Sequence, residues 1–512
     1  MLKRLTQTLQ RTDVRFRLPA YWRTALKSSA GPDEAGRFFA EQCERILQRP
    51  LQPLPPRRPE QLVIAQLFLH HFSAYDHGAA PDQCSGTLVK SIALLPLLAR
   101  SGVTAVMILP HYCRGEAFHK GDRGSPYAVK DYLQVDPALV DPFLRDTFSA
   151  DELFEAFVEA AHRLGLAVLI DVVPRTASRD SKLILSAPEW FYWIDPAAAE
   201  RLIGLLDPPI PELAKSTMMH ATTVGAFLQQ TDIAAVASCF RHNPRQTAPE
   251  RWERFVADAG QRPDFLARLT AEFGVVTPPC ISDVANDFQP PWHDITPLRL
   301  YEDYHPDLLP RLGAFAAPSA PPLVLKPILK ASAFPGTQPM AGLWDFLADV
   351  VAHHHRRFQL DGMRGDMFHA LPDLLIDRIV RRLPSAATVI FESLANPEGD
   401  ELCRRFGVPV YSGNLFYCVE HGRDVMISFV EQTATLPTRV LAMPASHDTP
   451  TLFARPAARA RFQLALSFYL PNAVPAITAD TLLGNRLPVN FGLMFNDESR
   501  AAGREALAAA GR

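Results

Sequence analysis

The sequence predicts an α/β fold in which eight parallel strands and their helices form a (β/α)8 (TIM) barrel with a long insertion after the third strand. Short apolar runs alternate with longer amphipathic segments, and this rhythm stops at about residue 175 and resumes at about 340. Buried parallel strands read as continuous apolar runs. Eight such runs favour a closed barrel over an open doubly wound sheet, and no GxGxxG or GxxxxGK[ST] stretch indicates a nucleotide site.

The elements before the insertion are predicted in chain order. Residues 1–48 form a helical lead-in, and the proline-rich RPLQPLPPRRP (49–59) connects it to the barrel because it cannot continue a helix. The first three strands are LVIAQLFL (62–69), VTAVMILP (103–110) and LAVLIDVVP (166–174), with a helix over ADELFEAFVEAAHRLG (150–165). These runs alternate as β/α units do.

The barrel resumes after a stretch rich in Pro, Trp and Asp. A helix over 342–358 leads into LDGMRG, and ATVIFE, VPVYSG, TRVLAMPASHD and NAVPAITAD supply the remaining strands. The predicted domains are a helical extension and linker (1–60), the first part of the barrel (61–174), an inserted domain (175–340) and the second part of the barrel with a truncated C-terminus (341–512).

Composition excludes several classes of protein. Lys and Arg (52) nearly balance Asp and Glu (55), for a net charge of −3. The sequence therefore lacks the excess of positive charge that indicates binding of nucleic acid, and we expect a neutral substrate. The basic start lacks the apolar stretch of a secretory signal, and no run of 18 apolar residues occurs, so we expect a cytoplasmic protein without a membrane partner. Seven scattered cysteines without a CxxC argue against a disulfide framework and a zinc site.

Acidic residues at strand ends carry the predicted chemistry. Catalytic groups of such barrels lie at the carboxyl ends of strands. Asp171 ends the third strand, Asp366 follows LDGMRG, Glu392 ends ATVIFE and Asp448 follows LAMPASH. Cleavage of a glycosidic bond with retention needs a nucleophile and an acid/base roughly 5 to 5.5 Å apart. Asp366 and Glu392 are separated by about one β/α unit and should face each other from neighbouring strands.

Two electrostatic expectations follow from the pattern. Arg364 and Asp366 alternate onto one face of the strand, so Arg364 should hold the nucleophile ionised and oriented. Taken alone, an R-x-D pair is more often an ordinary strand-end ion pair. Burial and the neighbouring acids should raise the pKa of Glu392 so that it stays protonated near neutral pH.

The motifs resemble those of a known family. GMRGD (362–366), the glutamate of VIFESL, the HD of PASHD and the aspartate of LIDVVP are similar, in order, to the four signature regions of glycoside hydrolase family 13, the α-amylase superfamily. GSPYAVKDY resembles the loop whose tyrosine, here Tyr127, stacks on the sugar at the cleavage point. Further stretches between about 62 and 495, such as APEWFYWI and LPVNFGL, look like the bacterial maltosyltransferase branch.

This resemblance implies an activity and residue roles. It implies transfer of maltosyl units between α-1,4-glucan or malto-oligosaccharide donors and acceptors, without an organic cofactor. Asp366 would be the nucleophile, Glu392 the acid/base and Asp448 the residue that stabilises the transition state. The substrate-binding set would be Tyr127, Asp171, Arg175, Arg364 and His447.

Two departures from most α-amylases accompany the resemblance. Arg175 and Thr176 replace the usual Asn-His pair, and this replacement removes an asparagine that often helps to bind calcium. The maltosyltransferase-like sequences share the Arg-Thr pair. Only about twenty residues follow LPVNFGL, so we expect the last helix to be short and the C-terminal β-sandwich to be absent.

Several other features leave alternatives open. His353, His354 and His355 point about 100° apart on a helix, so they cannot share a metal, and a solvated or partly packed helix face is expected. The aromatic cluster of Trp190, Phe191, Tyr192 and Trp193 is either a subsite wall or the core of the insertion. No residue-level role follows for a loop-rich set of polar and aromatic residues, which comprises Asp283, Asp287, Trp292 and Asp294.

The leading function is therefore maltosyl transfer. A hydrolase of the same superfamily differs only in using water to resolve the covalent intermediate, and the carboxylates cannot distinguish the two. Phosphate as acceptor is a further variant. A barrel that only binds glucan or a protein partner is the rival from another class, and the intact acids argue against it.

Overall fold

A computed structural model describes most of the chain. The described residues are 1–75, 85–119, 124–206, 229, 231–259, 262, 264–280, 292–325, 331–419, 422–449, 451–452, 455–478 and 481–482. The motif LPVNFGL and the expected truncation of the last helix and sandwich concern residues beyond 482, outside these ranges. Within the described residues, no helix has the length and apolar content needed to cross a bilayer.

The described strands, in chain order, include a closed parallel barrel. They are β1 (Ile64–Leu67), β2 (Ala105–Ile108), β3 (Tyr112–Arg114), β4 (Val129–Val135), β5 (Ala167–Val172), β6 (Thr176–Ser178), β7 (Trp193–Ile194), β8 (Phe240–Arg241), β9 (Ile295–Pro297), β10 (Gly362–Gly365), β11 (Thr388–Phe391), β12 (Val410–Tyr411), β13 (Arg439–Ala442) and β14 (Ala473–Thr478). The barrel order is β1, β2, β5, β10, β11, β12, β13 and β14, which pairs again with β1. The predicted (β/α)8 fold is confirmed.

The described α-helices are Leu2–Arg11, Ala20–Ala25, Ala35–Leu47, Leu69–Phe72, Leu88–Arg100, Ala150–Arg163, Leu183–Ser186, Ala199–Leu206, Ile233–Cys239, Pro244–Thr247, Pro249–Ala259, Phe265–Phe273, Leu309–Leu312, Ala341–Phe358, Asp373–Val380, Asn396–Phe406, Leu415–Cys418, Arg423–Thr435 and Ala457–Tyr469. Local sequence explains their ends. For example, Ser149 and Glu152 form a capping box at the start of Ala150–Arg163, in which each side chain accepts from the other's backbone N–H.

Barrel strands are apolar because both of their faces are covered. All six residues of β5 and all four of β10 are buried. Gly362 of β10 is needed for close strand approach, since a Cβ at this position would lie 2.0 Å from the carbonyl oxygen of Thr388. Parallel pairing then places the carboxyl ends of β5, β10 and β11 side by side.

The N-terminal helices pack onto the barrel. Leu2, Leu5 and Leu9 are buried on one face of the first helix, as i, i+3 and i+7 spacing requires. This helix contacts Ala35–Leu47 and the barrel helix Ala150–Arg163. The lead-in is thus part of the same packed core.

The stretch between β5 and β10 contains antiparallel pairs instead of barrel strands. β6 pairs with β9 and β7 with β8. Several buried side chains in this stretch, including Ile194, Phe240 and Leu325, form a cluster of their own. The division of the chain at residues 60, 174 and 340 stays a prediction.

The helix Ala341–Phe358 buries two of its consecutive histidines, so the packed rather than the solvated alternative describes them. His354 is fully buried between the His111 ring nitrogen, 3.2 Å away, and the Tyr132 carbonyl oxygen, 2.7 Å away. His355 is 5% exposed. Burial lowers the pKa of both to about 4, so these imidazoles are neutral parts of the helix packing.

Candidate active site

Asp171 and Arg364 meet because β5 and β10 pair in register. The parallel register places Arg364 opposite Asp171, so the two residues lie at the same height along the barrel axis. Arg364 Nη1 donates to Asp171 Oδ2, and the two side chains are 4% and 0% exposed. A buried carboxylate and a buried guanidinium stabilise each other's charge here.

Asp366 and Glu392 follow the ends of β10 and β11. The Asp366 N–H donates to the Val172 carbonyl at 2.9 Å, and the Glu392 N–H donates to the Gly365 carbonyl at 3.1 Å. Arg364 reaches both carboxyl groups, with Nη1 3.3 Å from Asp366 Oδ1 and Nη2 2.5 Å from Glu392 Oε1. The two acids therefore lie around one guanidinium, on neighbouring strands as predicted.

A second contact holds Glu392 from the loop after β10. The Met367 N–H donates to Glu392 Oε2 at 2.6 Å. His369 Nδ1 lies 2.9 Å from the Glu392 carbonyl oxygen. Sequence reasoning missed His369; its place three residues after Asp366, in a loop at the carboxyl end of a strand, is the signal that could have found it.

Asp448, His447 and Tyr127 continue the same network. His447 Nε2 lies 3.2 Å from Asp448 Oδ2 and 2.8 Å from the Tyr127 hydroxyl. That hydroxyl also donates to Asp171 Oδ2 at 2.9 Å. The Tyr127 and His447 rings stack with centroids 5.7 Å apart. Hydrogen bonds and ion pairs thus connect Asp448 to Asp171, and through Arg364 to Asp366 and Glu392.

The distribution of protons in this network corrects two expectations. Burial alone would raise the pKa of Glu392, but Arg364, His369 and the Met367 N–H together lower it below its usual value. The predicted rise is wrong because several positive or donating groups act on this carboxylate together and outweigh its burial. Burial and the charge of Glu392 raise the pKa of Asp366 well above its usual value against the opposing effect of Arg364, so Arg364 does not keep Asp366 ionised here.

Asp171 also binds its proton more tightly than an ordinary aspartic acid. Burial raises its pKa to about 7, opposed by Arg364 and assisted by the charge of Glu392. Groups that interact this closely titrate together and not one by one. Burial therefore favours the protonated forms of Asp171 and Asp366.

Arg175 lies near enough to the network for its charge to act on Asp366. Its carbonyl accepts from the Leu298 N–H at 2.9 Å, which ties the end of β5 to the insertion. Its charge lowers the pKa of Asp366, and its side chain lines a cavity shared with Tyr192 and Ala370. Arg175 is thus close to Asp366 and also lines a neighbouring cavity.

Asp294 supports the loop that carries Tyr127. It is fully buried, and its Oδ2 accepts from the Ser125 N–H at 2.7 Å. The Asp294 carbonyl accepts from the Arg179 N–H at 3.1 Å. The insertion therefore positions Tyr127, a role the sequence did not assign. Asp283 and Asp287 lie outside the described residues.

The aromatic cluster is divided between the main core and the wall of a cavity. Phe191 and Trp193 are each 1% exposed and belong to the core. Trp190 packs its ring 5.6 Å from Phe346. Tyr192 lines the cavity next to Arg175. One residue of the four therefore faces a space that could accept a ligand.

Comparison with known proteins finds sequence relatives over part of the chain. No family model matches the sequence. A stretch of 131 residues is 29% identical to the alpha-1,4-glucan:maltose-1-phosphate maltosyltransferase of Salinibacter ruber, covering 24% of this chain and 20% of that protein. A stretch of 118 residues is 32% identical to a "Probable alpha-glucosidase" of Rhizobium meliloti, covering 22% of this chain and 19% of that protein. Each match thus spans about a fifth of the relative.

Solved structures of similar topology include α-amylases. A maltogenic alpha-amylase from Thermotoga neapolitana has a TM-score of 0.48 at 14% identity over 88% of this chain and 76% of its own. An alpha-amylase from Lactobacillus plantarum has a TM-score of 0.47 at 16% identity over 89% of this chain and 81% of its own. The strand pairing itself shows the eight-stranded parallel barrel.

Proposed function

We propose that this chain is a glycoside hydrolase family 13 enzyme that moves maltosyl units between α-1,4-glucans with retention of configuration. The observation that carries the proposal is the arrangement around Arg364. Asp366 and Glu392 contact one guanidinium from consecutive strands, and His447 and Tyr127 connect Asp448 to the same group through Asp171. Such convergence is what double displacement at one anomeric carbon needs.

The first chemical step forms a glycosyl ester. An Asp366 carboxylate oxygen attacks the anomeric carbon while the bond to the departing glycosidic oxygen breaks, and Glu392 gives its proton to that oxygen. Burial and the charge of Glu392 favour the proton on Asp366, so the first step requires that this proton move to Glu392. Arg364 contacts both carboxyls, and so compensates the charge in either arrangement.

The second step reverses the proton's path. The hydroxyl of an acceptor glucan loses its proton to Glu392 and attacks the anomeric carbon, and the bond to Asp366 breaks. Two inversions give net retention. The acceptor receives the maltosyl unit, and Asp366 is regenerated.

The remaining residues would bind the sugar held at Asp366. The Asp448 side chain is 32% exposed, so its carboxylate can accept hydrogen bonds from sugar hydroxyls. The stacked rings of Tyr127 and His447 form a wall for the apolar face of the sugar. We assign Asp171, Arg175 and Arg364 to positioning and charge balance around this subsite.

An α-1,4-glucan hydrolase is the second candidate. The same carboxylates can act when water replaces the sugar hydroxyl as the acceptor. One of the sequence relatives is named a "Probable alpha-glucosidase". A barrel that binds glucan without catalysis is disfavoured, since Asp366, Glu392 and Asp448 all belong to one network.

Product analysis with pure maltotetraose tests the proposal. Maltosyl transfer from one maltotetraose to another yields equal amounts of maltose and maltohexaose, and the number of reducing ends stays constant. Hydrolysis instead adds one reducing end for each bond cleaved and makes no longer chain. Glycogen incubated with inorganic phosphate forms maltose 1-phosphate only if phosphate is the acceptor. A rise in the number of reducing ends without formation of maltohexaose would reject maltosyl transfer.

A further inference from the structure

The carbonyl group of Glu392 lies just past the end of strand β11. The strand ends at Phe391, and the Glu392 N–H still donates to the Gly365 carbonyl of β10 at 3.1 Å. On the other side of β11, the Ser412 N–H donates to the Phe391 carbonyl at 2.9 Å. Carbonyl groups inside a protein are almost always hydrogen-bonded. The Glu392 carbonyl therefore needs a donor from outside the sheet.

His369 supplies this donor twice. Its Nδ1 lies 2.9 Å from the Glu392 carbonyl oxygen, and its backbone N–H donates to the same oxygen at 3.4 Å. Because a carbonyl oxygen can only accept, Nδ1 carries a proton and donates the hydrogen bond. His369 is 8% exposed, so the surrounding protein holds the ring in this position. The main chain of the proposed acid/base is thus held by one histidine.

The turn that carries His369 also holds the carboxylate of Glu392. The Met367 N–H donates to Glu392 Oε2 at 2.6 Å. Met367 has a φ of 52°, in the left-handed region that residues other than glycine adopt at a cost in free energy. The next residues, Phe368–Ala370, form a 3-10 turn, and the Phe368 ring packs 5.1 Å from the Phe391 ring. One short turn therefore holds the acid/base by its main chain and by its side chain.

Ser332 fastens this turn from an earlier part of the chain. Its Oγ donates to the His369 carbonyl at 2.8 Å, and its N–H donates to the Ala370 carbonyl at 3.1 Å. The segment after Ser332 is held in turn, because the Glu302 N–H donates to the Gln338 carbonyl at 2.8 Å. The turn is therefore attached to a segment that lies 37 residues before His369 in the chain.

On the basis of the proposed function, we infer that His369 is a positioning residue for the acid/base Glu392, and that Ser332 acts on Glu392 through His369. Loss of the Nδ1 donor would leave the Glu392 carboxyl group present but displaced, because the contact that is removed is one to its main chain. Misplacement of a catalytic group by about 1 Å can reduce a rate about 100-fold. The steps in which Glu392 gives or takes a proton should therefore depend on His369.

Two substrates with different leaving groups distinguish a displaced acid/base from a general loss of structure. The glucan that departs from maltotetraose needs a proton from Glu392. Fluoride departs from α-maltosyl fluoride as a stable anion without that proton, while an Asp366 oxygen forms the ester. The two assays are kcat/KM for maltotetraose and, with enzyme in excess, the rate of fluoride release in the first turnover.

His369→Phe keeps an aromatic ring but removes the Nδ1 donor. We expect kcat/KM for maltotetraose to fall about 20-fold, within the range that follows the loss of a buried hydrogen bond, and fluoride release to stay within about threefold of wild type. His369→Asn places an amide N–H near the position of Nδ1, and it should recover maltotetraose cleavage to within about fivefold of wild type. Thermal unfolding shows which variants fold.

Ser332→Ala removes the Oγ donor to His369 and should reduce kcat/KM for maltotetraose about fivefold without a change in fluoride release. It should cause no further loss in the His369→Phe background, because two residues that act through one contact are not additive. Ser332→Ala also decides the question if His369→Phe does not fold.

Ser186→Ala is the matched control, because the exposed Ser186 Oγ also donates to a backbone carbonyl, that of Leu183, at 3.3 Å. It should leave both rates unchanged. Equal losses on the two substrates in folded His369→Phe would overturn the positioning role, and so would wild-type rates on both. Wild-type enzyme that neither cleaves maltotetraose nor releases fluoride would instead reject the proposed function.

Discussion

Arg364 Nη2 lies 2.5 Å from Glu392 Oε1, while Nη1 of the same guanidinium lies 3.3 Å from Asp366 Oδ1. One buried cation thus contacts both groups that a retaining mechanism requires. A lysine ammonium is a single point charge and cannot reproduce the two-sided geometry of a guanidinium.

Arg364→Lys should therefore reduce kcat on maltotetraose about 100-fold or more, since misplacement of catalytic groups by about 1 Å has effects of this size. Initial rates measure the effect, and thermal unfolding shows whether the variant folds. Arg378→Lys is the control, because Arg378 makes a partly exposed ion pair with Asp345 at 2.7 Å. A kcat for Arg364→Lys within threefold of wild type would contradict the role of the shared cation.

Asp366→Asn should reduce kcat by a factor of about 10⁴ or more, as loss of a covalent nucleophile does in other enzymes. The amide keeps the shape of the site but cannot form the ester. Calorimetric titration with maltotetraose should still detect binding. Asp373→Asn, at an exposed pair with Arg405, should keep full activity. Unchanged turnover in Asp366→Asn would reject the assigned nucleophile.

Asp294→Ala should reduce kcat/KM about tenfold through displacement of the loop that carries Tyr127, since a lost buried hydrogen bond has effects of about 1–3 kcal/mol. Asp294 accepts from the Ser125 N–H at 2.7 Å. Asp294→Asn retains an acceptor oxygen and should recover most of the activity. Equal losses in both variants would show that the charge of Asp294, and not this hydrogen bond, matters.

The pH dependence of kcat/KM should show an alkaline limb near pH 7. Burial raises the pKa of Asp171 to about 7 and that of Asp366 well above its usual value. A raised pKa means that protons are bound below the limb and are lost as pH rises through it. Because Glu392 needs one of these shared protons, the rate falls above the limb. Asp171→Asn should move the limb, and a flat profile from pH 6 to 9 would refute this account.

Leu5→Ala should lower the free energy of unfolding by about 2–5 kcal/mol, the usual range for a leucine removed from a core. Leu5 is fully buried where the first helix packs on Ala35–Leu47 and Ala150–Arg163. Denaturant unfolding measures the change. Leu51→Ala is the control, because Leu51 is 52% exposed. A loss below 0.5 kcal/mol in Leu5→Ala would show that the lead-in is not part of the cooperative core.

The barrel could be predicted from the sequence because its strands are buried on both faces. A run such as AVLIDV in β5 has no polar alternation, and an acid at its end stands out against it. Strand-end position then places Asp171, Asp366 and Glu392 near one another once the strands pair in parallel. The register that matches Arg364 with Asp171 is known only from the structure.

The proton distribution could not be predicted from residue types. It depends on how deeply each carboxylate is buried and on which donors and charges surround it. Sequence spacing alone does not contain the difference between the 2.5 Å contact of Arg364 with Glu392 and its 3.3 Å contact with Asp366. The burial of His354 was also inaccessible, since its partners, His111 and the Tyr132 carbonyl, come from more than 200 residues away. The cavity lined by Tyr192 and Tyr301 combines segments about 100 residues apart.

The contacts of Arg364 also bear on how the chain folds. Its carboxylate partners come from β5, from the end of β10 and from the end of β11, so the charged cluster is completed only when these successive strands have paired. A refolding chain would regain helical circular dichroism before it regains catalysis. Recovery of activity therefore reports the pairing of these three strands.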